Sequence, residues 1–259
     1  MYDAGEAVGG IAGVNWLADV APDELITTAE ALVASQDMTD CVQVFVTGGD
    51  GRYVVESFSP AGRRIRFCGH GALSAAWVVF DQYEPAATLL EFANAEQRWQ
   101  ARRSAAALSD ITLTYPQPLV VDCAVPEFAA NVLGVQPLGA ATVGGSSGYL
   151  ILQLADADSV RTLQPDYSAI TAATDRALIV TARDRFAGGP GCVFRYFAPQ
   201  YGTPEDAATG SAAVQLAAFW SPRLQRKSFS ALQLSPEGAR LQLGCEAGSV
   251  DLAARVGYR

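Results

Sequence analysis

The sequence predicts an α+β fold of two pseudo-symmetric halves, each a curved mixed sheet or barrel around a central buried helix. The segment YVVESFSP at 53–60 is matched by CVFRYFAP at 192–199. Each is an alternating, β-prone run that ends in Phe, a small residue and Pro. The offset of 139 positions between them also relates His70 to Thr209, and each of these residues precedes an apolar run of helix length. We therefore predict an internal duplication.

The two apolar runs, 71–80 and 210–220, are the predicted central helices. They are rich in alanine and apolar on nearly every side, which is typical of a helix inside a larger structure. An exposed amphipathic helix is expected ahead of each, the first beginning at Pro22 and a weaker one covering 158–163 before Pro165. The apolar positions of the first are Leu25, Ala29, Leu32 and Val33.

Short β-prone runs surround each predicted central helix. In the first half they are 41–47, 53–58, 88–92 and 111–115, and in the second 149–154, 177–181, 192–197 and 232–234. The two prolines of Tyr115-Pro-Gln-Pro118 resist both helix and central strand, so this segment is the predicted linker. The predicted domains are 1–115 and 119–249, and the sequence leaves open whether 250–259 complete the first.

The bulk properties exclude several classes of protein. The net charge is −9, whereas a nucleic-acid partner needs a basic face. No stretch approaches the roughly 20 apolar residues of a membrane span, and the first residues lack the pattern of a signal peptide. The five cysteines lack disulfide or metal-ligand spacing, and the single histidine, His70, excludes zinc sites built on several histidines. We expect a cytoplasmic protein with no metal and no nucleic-acid or membrane partner.

Each predicted central helix begins at a glycine-rich turn. If the halves pack about a pseudo-twofold axis, both helix N-termini point into one cleft, where backbone N–H groups and helix dipoles favour a carboxylate. Gly69, Gly71 and Gly210 would let such a ligand approach the backbone closely. The alternative is that these glycines serve only the tight turns from strand to helix.

Polar residues at the two turns are the candidates for chemistry. His70 and Asp206 lie at matched turns, so facing halves would bring them close, and a carboxylate would fix the imidazole tautomer and raise its basicity. Thr209 and Ser211 are candidate substrate ligands, with helix capping as the alternative role for Thr209, Ser211 and Asp206.

The same two turns resemble the PhzF family of phenazine-biosynthesis isomerases, which is related to diaminopimelate epimerase. Phe67-Cys-Gly-His-Gly-Ala-Leu73 is similar to the family's Cys-Gly-His motif. The segment FAPQYGTPEDAATGSAA at 197–213 is similar to its Glu-Asp-Pro-x-Thr-Gly-Ser-Ala signature, and Gln233-Leu-Ser-Pro-Glu-Gly238 to a further family segment. The similarity in the order of elements runs from about Asp3 to Val256.

The resemblance implies a diaminopimelate epimerase-like fold, a homodimer, and catalysis without metal, pyridoxal phosphate or nucleotide. It places Asp40 where the family has its acid/base glutamate, in a Ser-Glu-Thr-like segment. His70, Asp206 and Ser211 would then surround the substrate, and the site glycines would donate backbone hydrogen bonds.

Two departures from the family pattern bear on activity. Asp40 withdraws the carboxylate by one methylene, and a displacement of roughly 1 Å costs on the order of 100-fold in a tuned site. In addition, Val8-Gly-Gly-Ile-Ala-Gly-Val14 stands where the family has a Gly-Asn-Pro run, so the asparagine is lost.

The predicted function is a cofactor-independent isomerase that moves a proton within a small carboxylate-bearing substrate by acid/base catalysis in the interdomain cleft. The alternative is a catalytically inactive small-molecule-binding or scaffold protein of the same fold. A racemase would need a second base facing Asp40. The paired-thiol mechanism of diaminopimelate epimerase is excluded, because Cys68 has no counterpart in Ala207-Ala-Thr-Gly-Ser-Ala212, and Cys68 is predicted to be a small buried residue.

Overall fold

The computed structural model describes residues 10–35, 41–107 and 109–258. The chain divides into two compact units. The first contains Ile11–Pro116 together with the C-terminal segment from Asp251, and the second contains Gln117–Val250. Both combine a mixed sheet with helices, so the predicted α+β class is confirmed.

The first unit contains the sheet β1-β2-β3-β5-β6-β7-β15, with β4 paired to β3. Pairs β1/β2 and β3/β5 are parallel, while β2/β3, β5/β6 and β6/β7 are antiparallel. Helix α2 continues into a π-helical turn at Val79–Tyr83. The elements are β1 Ala12–Trp16, α1 Leu25–Ser35, β2 Val42–Gly49, β3 Arg52–Phe58, β4 Arg64–Ile65, α2 Gly69–Val78, β5 Leu89–Ala93, β6 Arg98–Arg103, β7 Asp110–Pro116 and β15 Ser249–Arg255.

The second unit contains the sheet β8-β9-β10-β11-β12-β13-β14. Pairs β10/β11 and β12/β13 are parallel, while β8/β9, β9/β10, β11/β12 and β13/β14 are antiparallel. The elements are β8 Val120–Cys123, α3 Ala129–Leu133, β9 Gly139–Val143, β10 Tyr149–Gln153, α4 Ala157–Arg161, α5 Tyr167–Ala173, β11 Ala177–Phe186, β12 Gly189–Phe197, α6 Gly210–Leu224, β13 Ser228–Gln233 and β14 Ala239–Glu246.

The two sheets share an order of pairing directions that supports the internal duplication. From β1 to β6 the successive pairs are parallel, antiparallel, parallel and antiparallel, and the same order runs from β10 to β14. Helix α2 follows the β3–β4 hairpin, and α6 follows β12. The structural repeat therefore places the two predicted helix starts at equivalent points of the fold.

The two central helices lie in the interior of their own units. Helix α2 contacts β1, β2 and β7 of its sheet, and α6 contacts β12, β13 and β14. Buried residues line α6 from Gly210 to Trp220 without interruption, as expected for a helix that is apolar on all sides. The prediction that each sheet packs around its apolar helix is confirmed.

The exposed helices differ from the prediction in their limits. Helix α1 begins at Leu25, three residues after Pro22, and buries Leu25 and Ala29 as predicted. The predicted helix at 158–163 is α4, which begins earlier because Asp156 caps it and accepts a hydrogen bond from the Ser159 N–H at 2.7 Å. The predicted linker was partly wrong, since Tyr115 and Pro116 complete strand β7.

Candidate functional site

The first helix start is built from a cysteine and two glycines. Cys68 is the N-cap of α2, and its side chain makes no capping hydrogen bond within the part of the chain that the structure describes. Its Sγ lies 3.9 Å from His70 Nδ1 and is buried, as predicted for Cys68. Gly69 and Gly71 are buried, while His70 is half-buried. This turn therefore holds the His70 imidazole beside a buried helix start whose N-cap side chain makes no capping hydrogen bond with the described residues.

Gly71 is required for packing. A Cβ atom at this position would lie 2.9 Å from Cys68 Sγ, 3.0 Å from Val44 Cγ2 and 3.2 Å from Ser57 Oγ. These distances are shorter than normal van der Waals contacts, so the side chains of Cys68, Val44 and Ser57 would have to shift. The first helix start thus depends on the absence of a side chain at Gly71.

We expect Gly71→Ala to lower the free energy of unfolding by about 1–3 kcal/mol, because the added methyl group overpacks a tight contact. Urea unfolding of the variant beside the unchanged chain would measure this. Gly49→Ala is the matched control, since a Cβ there meets nothing within 4 Å, and it should change stability by about 0.5 kcal/mol or less. Equal stability of the two variants would contradict the packing role of Gly71.

The second helix start is organised around Asp206 and Thr209. Thr209 occupies the N-cap position of α6, but among the described residues its side chain makes no capping hydrogen bond. Its hydroxyl instead donates to Asp206 Oδ2 at 2.7 Å. The capping role considered for the Thr209 side chain is therefore wrong, because its hydroxyl forms a hydrogen bond with the Asp206 carboxylate and not with an N–H of the helix.

Glu205 precedes Asp206 and is held by an arginine. Arg195 Nε and Nη2 each lie 2.7 Å from one carboxylate oxygen of Glu205, and Arg195 Nη1 donates to the Leu163 carbonyl at 2.7 Å. A bidentate pair of this kind fixes both side chains in one geometry. The ion pair therefore fixes Glu205 at this turn, and the role predicted for Asp206 in the chemistry stays a prediction.

Comparison with known proteins decides the family. A family model described as phenazine biosynthesis-like protein matches residues 9–249. The chain belongs to the PhzF family. This confirms the predicted membership and, through the fold of related solved structures, the diaminopimelate epimerase-like class.

The relatives of this PhzF-family chain carry isomerase names. An uncharacterized isomerase of Pseudomonas aeruginosa is 33% identical over 200 residues, which cover 76% of this chain and 72% of the relative. A second uncharacterized isomerase of that organism is 30% identical, covering 93% of this chain and 85% of the relative. A PhzF-family crystal structure from Enterococcus faecalis has a TM-score of 0.79 at 25% identity and covers 97% and 91% of the two chains. The names of the two relatives support an isomerase family.

Tyrosines surround the second helix start of the PhzF-family chain. The Tyr149 and Tyr196 ring centroids are 6.5 Å apart, and Tyr149 lies near the Ser211 side chain. Burial raises the pKa of both phenols, and the nearby Asp206 carboxylate raises that of Tyr196 further. Both phenol groups therefore stay protonated at neutral pH, where they act as hydrogen-bonding groups and carry no charge.

The predicted site residues do not all lie in one described unit of the structure. Asp40 lies outside the described residues. His70 belongs to the first unit and Asp206, Thr209, Gly210 and Ser211 to the second, so their predicted meeting stays a prediction. Within the described ranges, no group of three or more His, Cys, Asp or Glu side chains could hold a metal ion, and no helix is long and apolar enough to cross a membrane.

A cavity of about 590 Å³ lies in the first unit. Its walls come from α1 and from the turn after β3, and its polar groups include Glu30, Gln43, Ser59 and Arg64. None of the predicted site residues that the structure describes lines it.

Proposed function

We propose that this PhzF-family protein is a cofactor-independent isomerase that moves a proton within a small carboxylate-bearing substrate by acid/base catalysis. Family membership and the isomerase names of its relatives support the reaction class. The proposal goes beyond them in assigning Asp40 as the proton carrier and in having both helix starts act on one substrate.

The observation that carries the proposal is the construction of the two helix starts. Helices α4 and α5 are capped by Asp156 and Asp166, each of which accepts a backbone hydrogen bond. In contrast, among the described residues neither Cys68 nor Thr209 caps its helix with its side chain. Amides of the first turn are satisfied by a side chain, by water or by a ligand. Apart from the Thr209 N–H, which donates to Gln233 Oε1, the starts of α2 and α6 are proposed to offer N–H groups and a positive dipole end to a carboxylate.

Each residue has one role in the proposed reaction. The Asp40 carboxylate takes a proton from a carbon next to an unsaturated or carbonyl-bearing system, and the electron pair of the broken C–H bond delocalises into that system. The protonated Asp40 then delivers a proton to another carbon, either the proton it took or one exchanged with solvent, so the proton count balances and no redox partner is needed. Backbone N–H groups at Gly69, Gly71 and Gly210 stabilise the charge that develops.

The remaining polar groups bind the substrate. His70, with Asp206 acting on its imidazole, binds an amino or hydroxyl group of the substrate. Ser211 contributes a hydroxyl group at the start of α6, whereas Thr209, the other predicted ligand there, acts through the hydrogen bond from its hydroxyl to the Asp206 carboxylate.

The test is proton exchange in D2O. The protein would be incubated with a panel of cyclic and amino-acid carboxylates, including dihydro-hydroxyanthranilate, and carbon-bound protons followed by NMR. We expect enzyme-dependent deuterium uptake at a carbon of at least one carboxylate. Binding of a carboxylate without exchange would favour instead the alternative, a PhzF-fold binding protein that has lost catalysis.

A further inference from the structure

Gln233 connects to the turn that carries Asp206 at three points. It is the last residue of β13, and its side chain is buried, with 1% of the residue exposed. Its Oε1 accepts a hydrogen bond from the Thr209 N–H at 2.6 Å. Its Nε2 donates to the Asp206 carbonyl at 2.5 Å and to Thr209 Oγ1 at 3.2 Å. One amide group therefore ties β13 to both ends of the 206–209 turn.

These bonds fix the direction of the Thr209 hydroxyl. Because Thr209 Oγ1 accepts from the Gln233 amide, its own proton points away from that amide and is donated to Asp206 Oδ2 at 2.7 Å. The chain of donors thus runs from Gln233 through Thr209 to the carboxylate. In a buried setting such a chain holds one geometry, and each bond polarises the next.

The backbone of the same turn is held from the other side. The Asp206 N–H donates to the Tyr196 carbonyl at 3.2 Å, and the Ser235 hydroxyl donates to the Ala207 carbonyl. Strand β12, the segment after β13 and Gln233 therefore hold the backbone of the turn, while the Thr209 hydroxyl, itself bonded to Gln233, orients the Asp206 side chain.

We propose that Gln233 is a positioning residue for the proton-transfer site, acting through Thr209 on the Asp206 carboxylate. This inference rests on the proposed function, since Asp206 must act on the substrate or on His70 for its orientation to matter. Gln233 does not itself touch the reacting atoms. Its removal deletes no proposed catalytic side chain, but it frees the 206–209 turn and the carboxylate of Asp206 to move.

The experiment measures deuterium exchange, with its kcat, KM and pH profile, for Gln233→Met, Thr209→Val and Thr209→Ser. Methionine keeps the length of the glutamine side chain without its hydrogen bonds, valine removes the relay hydroxyl, and serine restores it. We expect kcat to fall by about 10–100-fold in the first two variants, because small misplacements have effects of this size. We also expect the pH profile of kcat to shift in both and Thr209→Ser to return to near the unchanged rate.

A control on the same strand separates positioning from general loss of hydrogen bonds. Ser230 of β13 donates to Gln242 Oε1 at 3.1 Å, outside the 206–209 turn. Ser230→Ala should leave kcat and its pH profile unchanged. Thermal unfolding of every variant would show that the folded protein is being assayed.

The outcomes distinguish this inference from the proposed function. If the unchanged protein exchanges protons while Gln233→Met and Thr209→Val retain its kcat and pH profile, the positioning role is overturned and the function stands. Lower activity in proportion to lost folded protein, with an unshifted pH profile, also overturns it, because Gln233 would then be only structural. If the protein without substitutions showed no deuterium exchange into any carboxylate tested, both the proposed function and this inference would be overturned.

Discussion

Replacing Asp40 by asparagine is expected to lower enzyme-dependent deuterium uptake by at least about 100-fold, because an amide cannot take up and return the proton. The substitution keeps the size of the side chain, so binding of the carboxylate substrate should persist. NMR of the exchanging carbon, with the substrate at saturation, would measure the loss in kcat separately from any change in affinity.

Two variants sharpen this result. Asp40→Glu restores the side-chain length that the family usually has at this position, and we expect it to retain exchange, since the carboxylate is kept. Asp37→Asn removes a carboxylate three residues earlier and should leave the exchange rate unaltered. Exchange that survives in Asp40→Asn would show that another group carries the proton and would contradict the assignment.

The core of the fold could be predicted because its signals are local. The run at 210–220 has no polar face, so it could be placed only in the interior, and α6 is buried there. Strand β12 was visible from the alternating, β-prone run at 192–197 and from the Ala198-Pro199 turn that follows Phe197. These signals depend on residues close in sequence, which composition and periodicity report directly.

Strands with one charged face escaped prediction. Strand β6 has the sequence RWQARR, in which Trp99 and Ala101 are buried and the arginines and glutamine alternate with them. Strand β14 buries Ala239, Leu241 and Leu243 in the same way. Two or three apolar residues in such a strand give a weak alternation, and only the neighbouring strands of the sheet decide it.

The helix starts were found from sequence, but what holds them was not. The three contacts from Gln233 to the 206–209 turn join residues more than twenty positions apart, and no local pattern indicates them. Two largely buried ion pairs were not predicted from the sequence, for another reason. The repeat offset relates Glu56 to Arg195, and the structure pairs Glu56 with Arg64 and Arg195 with Glu205. The equivalent positions 56 and 195 therefore carry opposite charges, so a comparison of the two halves for identical residues does not detect these ion pairs.

The last prediction concerns the second of these pairs, whose partners are only 10% and 14% exposed in their side chains. We expect Arg195→Met to lower the free energy of unfolding by about 3–5 kcal/mol, because it leaves the Glu205 carboxylate largely buried without its cation. The Leu163 carbonyl also loses its hydrogen bond from Arg195 Nη1. Urea unfolding followed by circular dichroism would measure the change.

The double variant Arg195→Met with Glu205→Gln tests the cause. If the loss arises from an unpaired buried charge, removing that charge should recover a large part of the stability, and the double variant should be more stable than Arg195→Met alone. Arg52→Met is the control, because Arg52 pairs with Glu91 at 3.4 Å on the surface, with side chains 83% and 55% exposed. It should cost about 1 kcal/mol or less. A double variant as unstable as the single one would mean that Arg195 acts through packing on Phe197 and the Leu163 carbonyl, and that the carboxylate before Asp206 needs no partner.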